Sequence, residues 1–190
     1  MPSEWRVSRE PGALLGRGAY GNVRMLQTPK NKPKLVMKEL IGGSDPTSGL
    51  GTDALRETSA LHLLHNTNFP FMPTLKGTVL SNRLATPLRT VMAHGGVCLI
   101  DAIRGKSRRG TTVKKLSHPE QRVAANSLVR AMLQLWAAHG LVHHDLKPDN
   151  IMLDRASCTV RVVDFGAAVP LTQLHWVPQR PHVTTIWNEP

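Results

Sequence analysis

His143-His144-Asp145-Leu146-Lys147-Pro148-Asp149-Asn150 gathers imidazole, carboxylate, ammonium and amide groups into one polar stretch. It follows an apolar-periodic segment that stops at Gly140 and precedes two short β-branched runs, Ile151–Leu153 and Thr159–Val163. It therefore reads as a loop between a helix and a pair of strands. Asp145 can accept a hydroxyl proton, Lys147 can neutralise an anionic group in transfer, and the Asn150 carbonyl oxygen can ligate a hard cation. Asp164-Phe165-Gly166 ends the second run; its carboxylate stands as a further metal ligand, and Gly166 lets the chain turn away.

Upstream of this loop lies the clearest helix of the chain. Ser117-His118-Pro119-Glu120 is a capping box with proline in the first turn, and Gly140 is a stop signal. Ala124, Leu128, Met132, Leu135 and Trp136 form its expected buried stripe. Further back, Leu14-Leu15 runs into Gly16-Arg17-Gly18-Ala19-Tyr20-Gly21-Asn22-Val23. Glycines without a Cβ let backbone approach a phosphate closely, and a strand-like run after them indicates a flap in a hairpin rather than a strand–helix dinucleotide turn. No Gly-Lys-Ser/Thr follows, so it is not a P-loop. Lys38 stands in the apolar run Lys34–Lys38, where it either snorkels to water or holds an anion. Glu57 is its expected partner, on a helix capped by Thr52 or Asp53 and continuing to Leu64, with Glu57, Leu61 and Leu64 on one face.

The remaining segments read as follows. Residues 1–13 are a polar lead-in, and 41–51 form a loop rich in Gly, Ser and Pro. Strands are expected at Gly77–Leu80 and Leu88–Met92, then a hinge-like 93–96 and a short helix over Val97–Ile103. Arg104, Lys106, Arg108, Arg109, Lys114 and Lys115 cluster with glycines and no aromatic residue, which makes a solvated loop or a docking site for an acidic partner. Single-stranded nucleic acid needs stacking platforms that this stretch lacks, so a nucleic-acid role rests on the net charge of +11 alone and ranks last.

The chain has 190 residues, 41% of them apolar and 4% aromatic, enough for a mainly aliphatic core. No apolar run approaches the ~20 residues of a membrane span, and the start has no secretory h-region, so no membrane association is expected. Cys98 and Cys158 make no disulfide framework, which favours a reducing, intracellular setting, cytoplasmic or nuclear. The other histidines have no metal-ligand spacing.

Taken together in order, the glycine turn, Val36-Met37-Lys38, Glu57, the 143–150 loop and Asp-Phe-Gly resemble the eukaryotic protein kinase family over about residues 14–190. The resemblance implies an α+β, bilobal fold: residues 14–93 form an N-lobe of antiparallel sheet plus one helix, and 94–190 a helical, incomplete C-lobe. It implies ATP and Mg2+ as cofactors and Ser/Thr hydroxyls of a protein as acceptor, since Lys147 stands in the Asp-Leu-Lys-Pro-x-Asn arrangement. By the same resemblance Gly16, Gly18 and Gly21 cover the phosphates, and Leu15 beside them also binds the nucleotide. Lys38 contacts them and pairs with Glu57. Asp145 is the base and Lys147 supports the γ-phosphoryl group. Asn150 and Asp164 hold magnesium. Val23, Val36 and Met152 sandwich adenine, and Met92 to His94 form the hinge that bonds its edge. Thr90, Val91 and Met92 all remain candidates for the residue behind the adenine.

Two departures stand out. His144 occupies a position that is usually arginine, an arginine that binds a phosphorylated residue of the activation segment; this kinase is then expected not to need that phosphorylation. Loss of activity on phosphatase treatment would overturn that expectation. Thr184-Thr185-Ile186-Trp187-Asn188-Glu189-Pro190 resembles the approach to the family's Ala-Pro-Glu motif, so the chain reads as part of a longer kinase, stopped near the end of the activation segment. The helix after Ser117 would then lack packing partners, leaving the piece marginally stable. The alternative function is a kinase-like interaction protein that binds nucleotide or a partner kinase with little catalysis. A small-molecule phosphotransferase ranks below both, because the Lys-Pro-x-Asn arrangement and the full glycine turn speak against it.

Overall fold

A computed structural model describes residues 5–9, 13–18, 21–30, 32–40, 51–79, 88–107 and 110–176, with backbone alone at 174–176. The expected Ala-Pro-Glu-like stretch, 184–190, lies outside the described residues. The chain divides into two compact units, one of Met1–His65 and Pro73–His94, the other of Asn66–Met72 and Gly95–Pro190.

The first unit is an antiparallel sheet of β1 (Leu14–Gly18), β2 (Gly21–Met25), β3 (Leu35–Leu40), β4 (Leu75–Val79) and β5 (Leu88–Ala93), in the order β1-β2-β3-β5-β4, with one helix, α1 (Thr52–Asn66). Side chains alternate across a strand, and β3 shows what each face carries. Val36, Lys38 and Leu40 point to one side; Leu40 packs with Leu88 and with Ala54 of α1, which seats the helix on that face. Met37 points to the other, where it clusters with Leu26 and Val91. Burial of each such side chain is worth about 1.5–3 kcal/mol, so both faces of the central strand contribute. The expected strand at 77–80 sits instead at Leu75–Val79, with a register shift between Leu75 and Gly77 that obscures its alternation. Leu80 lies outside the described residues. Thr52 and Asp53 fall inside the first turn of α1 rather than before it, and the Gly51 carbonyl accepts from Ala54 and Leu55.

Residues 5–9, which composition marks only as polar, are tied into this unit. Val7 bridges Leu26, Ser8 N–H donates to the Met25 carbonyl at 2.9 Å, and Trp5 and Val7 pack on the Leu26–Met37–Val91 cluster.

The second unit is built on α3 (His118–His139). Its capping box forms as the sequence dictates: Glu120 accepts from Ser117 N–H at 2.7 Å, and Gly140 closes the helix in the left-handed region at φ 59°. Short strands surround it, β6 (Val97–Cys98) with β8 (Ile151–Leu153) and β9 (Val160–Val162), and β7 (Leu141–Val142) with β10 (Val169–Pro170). The helix expected over 97–103 begins later, as α2 (Leu99–Arg104), because Val97 and Cys98 pair with Leu153 and Met152.

The buried stripe of α3 also differs from its expected form. Ala124, Ser127, Ala131 and Leu135 are buried, whereas Trp136 is 53% exposed beside exposed Val129 and Leu133. Ser127 is inside because its Oγ accepts from Val160 N–H at 3.0 Å, satisfying a strand end that an apolar residue would leave unpaired.

Candidate active site

The polar loop 143–150 runs from β7 into a 3-10 turn, Pro148–Asn150, that feeds β8. Asp145 is its centre. Lys147 Nζ donates to both carboxylate oxygens, at 2.9 and 2.7 Å. Asn150 Nδ2 donates to the Asp145 carbonyl at 2.8 Å and to Oδ2 at 3.0 Å. With its amide nitrogen spent on Asp145, Asn150 keeps its carbonyl oxygen for a cation, which fits a magnesium ligand. Among the described residues no group of three His, Cys, Asp or Glu side chains forms a metal cage. A donor set of one carboxylate and one amide suits an ion that keeps water and phosphate ligands, as magnesium does.

His143 is a residue that sequence reasoning placed in the loop without giving it a role. It is buried, its Nδ1 accepts from Asp145 N–H at 3.3 Å, and its Nε2 donates to the Val163 carbonyl at 3.1 Å. Those two bonds select the neutral Nε2–H tautomer. Burial pushes its pKa below the usual imidazole range, against the opposing pull of the Val163 bond and of Asp164 and Asp145. Its ring lies 5.1 Å from that of Phe165. The imidazole thus connects the backbone of Asp145 to the residue preceding Asp164. Two adjacent histidines in a sequence give no sign of which is buried; here His144 is exposed, at φ 61°.

Asp164 sits in the left-handed region at φ 67°, and Val163 N–H before it donates to the Asn150 carbonyl at 3.0 Å. Asn150, Asp145 and the strand leading to Asp164 are therefore one hydrogen-bonded assembly. Met152 of β8 pairs with Cys98 and Arg161 and is half-buried.

In the first unit Lys38 Nζ reaches both oxygens of Glu57 at 2.7 Å. Both residues are buried, Lys38 at 9% and Glu57 at 2% exposure. Val23 and Thr90 are the cross-strand neighbours of Lys38, and Met92 that of Val36, so Val23, Val36, Lys38, Thr90 and Met92 share the face that carries α1. Val91 points the other way, into the Leu26–Met37 cluster, so of Thr90, Val91 and Met92 only Thr90 and Met92 lie on the face of Lys38. His94 N–H donates to the Lys34 carbonyl at 2.8 Å, and burial, then Lys34, lowers its pKa. Leu15 is 38% exposed. Gly18 pairs with Gly21 where the hairpin turns.

Two of the glycines differ in kind. A Cβ at Gly21, at φ 143°, would lie 1.9 Å from the Glu39 carbonyl oxygen, so the fold requires glycine there. A Cβ at Gly16 would meet nothing within 4 Å, so the fold leaves space above that residue.

The sequence pattern of the protein kinase domain matches residues 9–189. The chain belongs to the protein kinase family. Its relatives include a probable dual specificity protein kinase YAK1 homolog of Encephalitozoon cuniculi, 26% identical over 84% of this chain and 36% of the relative. Mitogen-activated protein kinase kinase kinase 2 of Arabidopsis thaliana is 28% identical over 91% of this chain and 25% of its own length. A cyclin-dependent kinase 4 homolog of Caenorhabditis elegans is 28% identical over 80% of this chain and 36% of its own length. This kinase domain thus spans only about a quarter to a third of those relatives.

Proposed function

We propose that this kinase domain transfers the γ-phosphoryl group of ATP to a Ser or Thr hydroxyl of a protein. The observation that carries the reading is the Asp145 carboxylate, oriented by Lys147 and Asn150 and anchored at its own N–H by a buried, neutral His143. Such a carboxylate meets the demand on a general base, a fixed position within reach of a hydroxyl proton. Lys147 is a cation beside the transferred group, and Lys38, held by Glu57, presents an ammonium to the α- and β-phosphates. Gly16, Gly18 and Gly21 cover the phosphates, and Leu15 beside them also binds the nucleotide; Val23, Val36 and Met152 flank adenine, and Met92 to His94 bond its edge. Asn150 and Asp164 would hold Mg2+, which when bound neutralises phosphate charge.

The experiment is transfer of labelled phosphate to a serine- and threonine-containing protein, with wild type and Asp145→Asn. The variant should lose about 10²–10⁴-fold in rate while binding MgATP as before. Full activity in Asp145→Asn sinks the assignment of the base. Binding of MgATP with no transfer by wild type would return the interaction-protein reading.

The acidic-partner reading of 104–115 rests on exposed Arg104, Lys106, Lys114 and Lys115. The described residues of this stretch are tied by hydrogen bonds, with Lys106 bridging Thr112 and Val113 N–H donating to the Gly105 carbonyl. Salt-sensitive binding of a poly-glutamate peptide, lost on Lys106→Glu with Lys114→Glu, is the expected result. A chain whose cysteines are Cys98 and Cys158, too few for a disulfide framework, fits a reducing intracellular location.

A further inference from the structure

The segment Trp5–Ser8 lies against the outgoing end of β2. Val7 bridges Leu26, Gln27 N–H donates to the Arg6 carbonyl at 2.8 Å, and Ser8 N–H donates to the Met25 carbonyl at 2.9 Å. Met25 N–H meanwhile donates to the Ala13 carbonyl at 2.7 Å, just before β1. The last residue of β2 is thus bonded through its oxygen to the segment and through its nitrogen to the approach to β1. Trp5 and Val7 share one face of the extended segment and fill the cluster of Leu26, Met37 and Val91. The Trp5 ring covers Gly77 so closely that a Cβ there would lie 2.7 Å from Cη2. All of this lies on the sheet face opposite Lys38 and α1.

β1 is an edge strand, bonded to β2 alone, and a lone two-stranded hairpin is marginal. The glycine turn hangs from that hairpin. Without Trp5–Ser8, the β1–β2 pair would be held at its base only by β3. With it, the base is clamped through Met25, and the clamp is anchored by an indole in the core of the same sheet. Lys38 lies on the adjoining strand, paired with Val23 across from the turn.

We propose that Trp5 is a positioning residue for nucleotide binding: seated over Gly77, it fixes the β1–β2 hairpin and so the placement of Gly16, Gly18 and Gly21 relative to Lys38. The proposal rests on the reading of the glycine turn and Lys38 as the phosphate site. It concerns affinity and makes no demand on the phosphoryl-transfer step.

The test is calorimetric titration of the whole 190-residue chain with MgATP, which separates the dissociation constant from the fraction of competent sites. Trp5→Ala should weaken binding about five- to tenfold at unchanged stoichiometry, and Trp5→Phe should restore most of the affinity. A fall in stoichiometry with an unchanged constant means that Trp5 only stabilises the fold, and overturns the proposal. Should Trp5→Ala fail to fold, Gly77→Ala decides, since its Cβ displaces the indole without removing it; weaker binding supports the proposal and wild-type affinity overturns it. Lys38→Met separates the two layers. If it binds MgATP as wild type does, the phosphate site itself is misassigned and the proposal falls with it. If it loses binding while Trp5→Ala does not, the proposal alone fails.

Discussion

The Lys38–Glu57 pair permits a worked prediction. Both groups are almost out of water, and one ammonium meets both carboxylate oxygens at 2.7 Å. Glu57→Gln keeps the shape and removes the negative charge that both short bonds place against the buried ammonium. Breaking a buried pair on one side costs about 3–5 kcal/mol. At about 2–4 °C per kcal/mol for a chain of this size, the melting point should fall by about 6–20 °C. Lys38→Met removes the ammonium from the buried carboxylate and should cost a similar amount. The double variant Lys38→Met with Glu57→Leu removes both charges of the pair together, and an apolar replacement of a buried pair is often neutral or stabilising. Its loss should therefore be smaller than either single loss. Urea unfolding followed through Trp5, the one tryptophan of the first unit, is the assay, with the tryptophans at 136, 176 and 187 replaced by phenylalanine. If the double loss equals the sum of the single losses within about 0.5 kcal/mol, the two charges are not coupled and the reasoning fails. If the cycle closes as expected, the pair adds little net stability, and a positioned ammonium is the reason left for keeping it.

Two further outcomes follow from burial. Burial holds the folded pKa of both His143 and His94 below the ordinary imidazole value of about 6.5, so below that pH the unfolded chain takes up protons that the folded chain refuses. Stability is then full above about pH 6.5 and falls as pH drops towards the folded values, by up to about 1.4 kcal/mol per pH unit for each histidine. His143→Leu should flatten the slope of urea midpoints between pH 7 and 5, by at most one proton, and an unchanged slope would contradict burial holding this imidazole neutral. On α3, Leu135→Ala should cost about 2–5 kcal/mol because Leu135 is fully buried, whereas Trp136→Gln should stay within about 1 kcal/mol. Thermal melts that reversed this order would place the stripe where hydrophobicity alone puts it.

The sequence was most informative where the signal was local. The ends of α3 could be read because Ser117, Glu120 and Gly140 act within a turn of the helix termini. The loop 143–150 and Asp164 could be read as chemistry because their side chains have few other uses in such density. What failed had distant causes. Trp136 scores as core by hydrophobicity, yet Ser127 takes the inner position because a strand about thirty residues later presents an N–H to it. Trp5 and Val7 form no periodic pattern, and only the Leu26–Met37–Val91 cluster reveals where they belong. At the site, the sequence singled out Asn150 as a candidate cation ligand but gave no sign that its amide donates to Asp145 and orients it. His143 could not be told from His144, since burial depends on Phe165 and the Val163 carbonyl rather than on any neighbour in sequence.

The short stretch Asn66–Met72 has a consequence for how this chain is made. It is synthesised between α1 and β4, which belong to the first unit, but it packs in the second. Phe69 meets the His139 ring edge-on at 5.3 Å, and the Phe71 carbonyl waits for Val162 N–H. While a ribosome extends the chain, the sheet of the first unit is complete once β5 has emerged. Phe69 and Phe71, whose rings meet each other, at that moment still lack His139 and Val162, and roughly another seventy residues must follow before Val162 arrives, several seconds at ~5–20 residues per second. For that interval the nascent protein carries an apolar knot on a finished half, a natural point of capture for a chaperone and a natural point of failure without one.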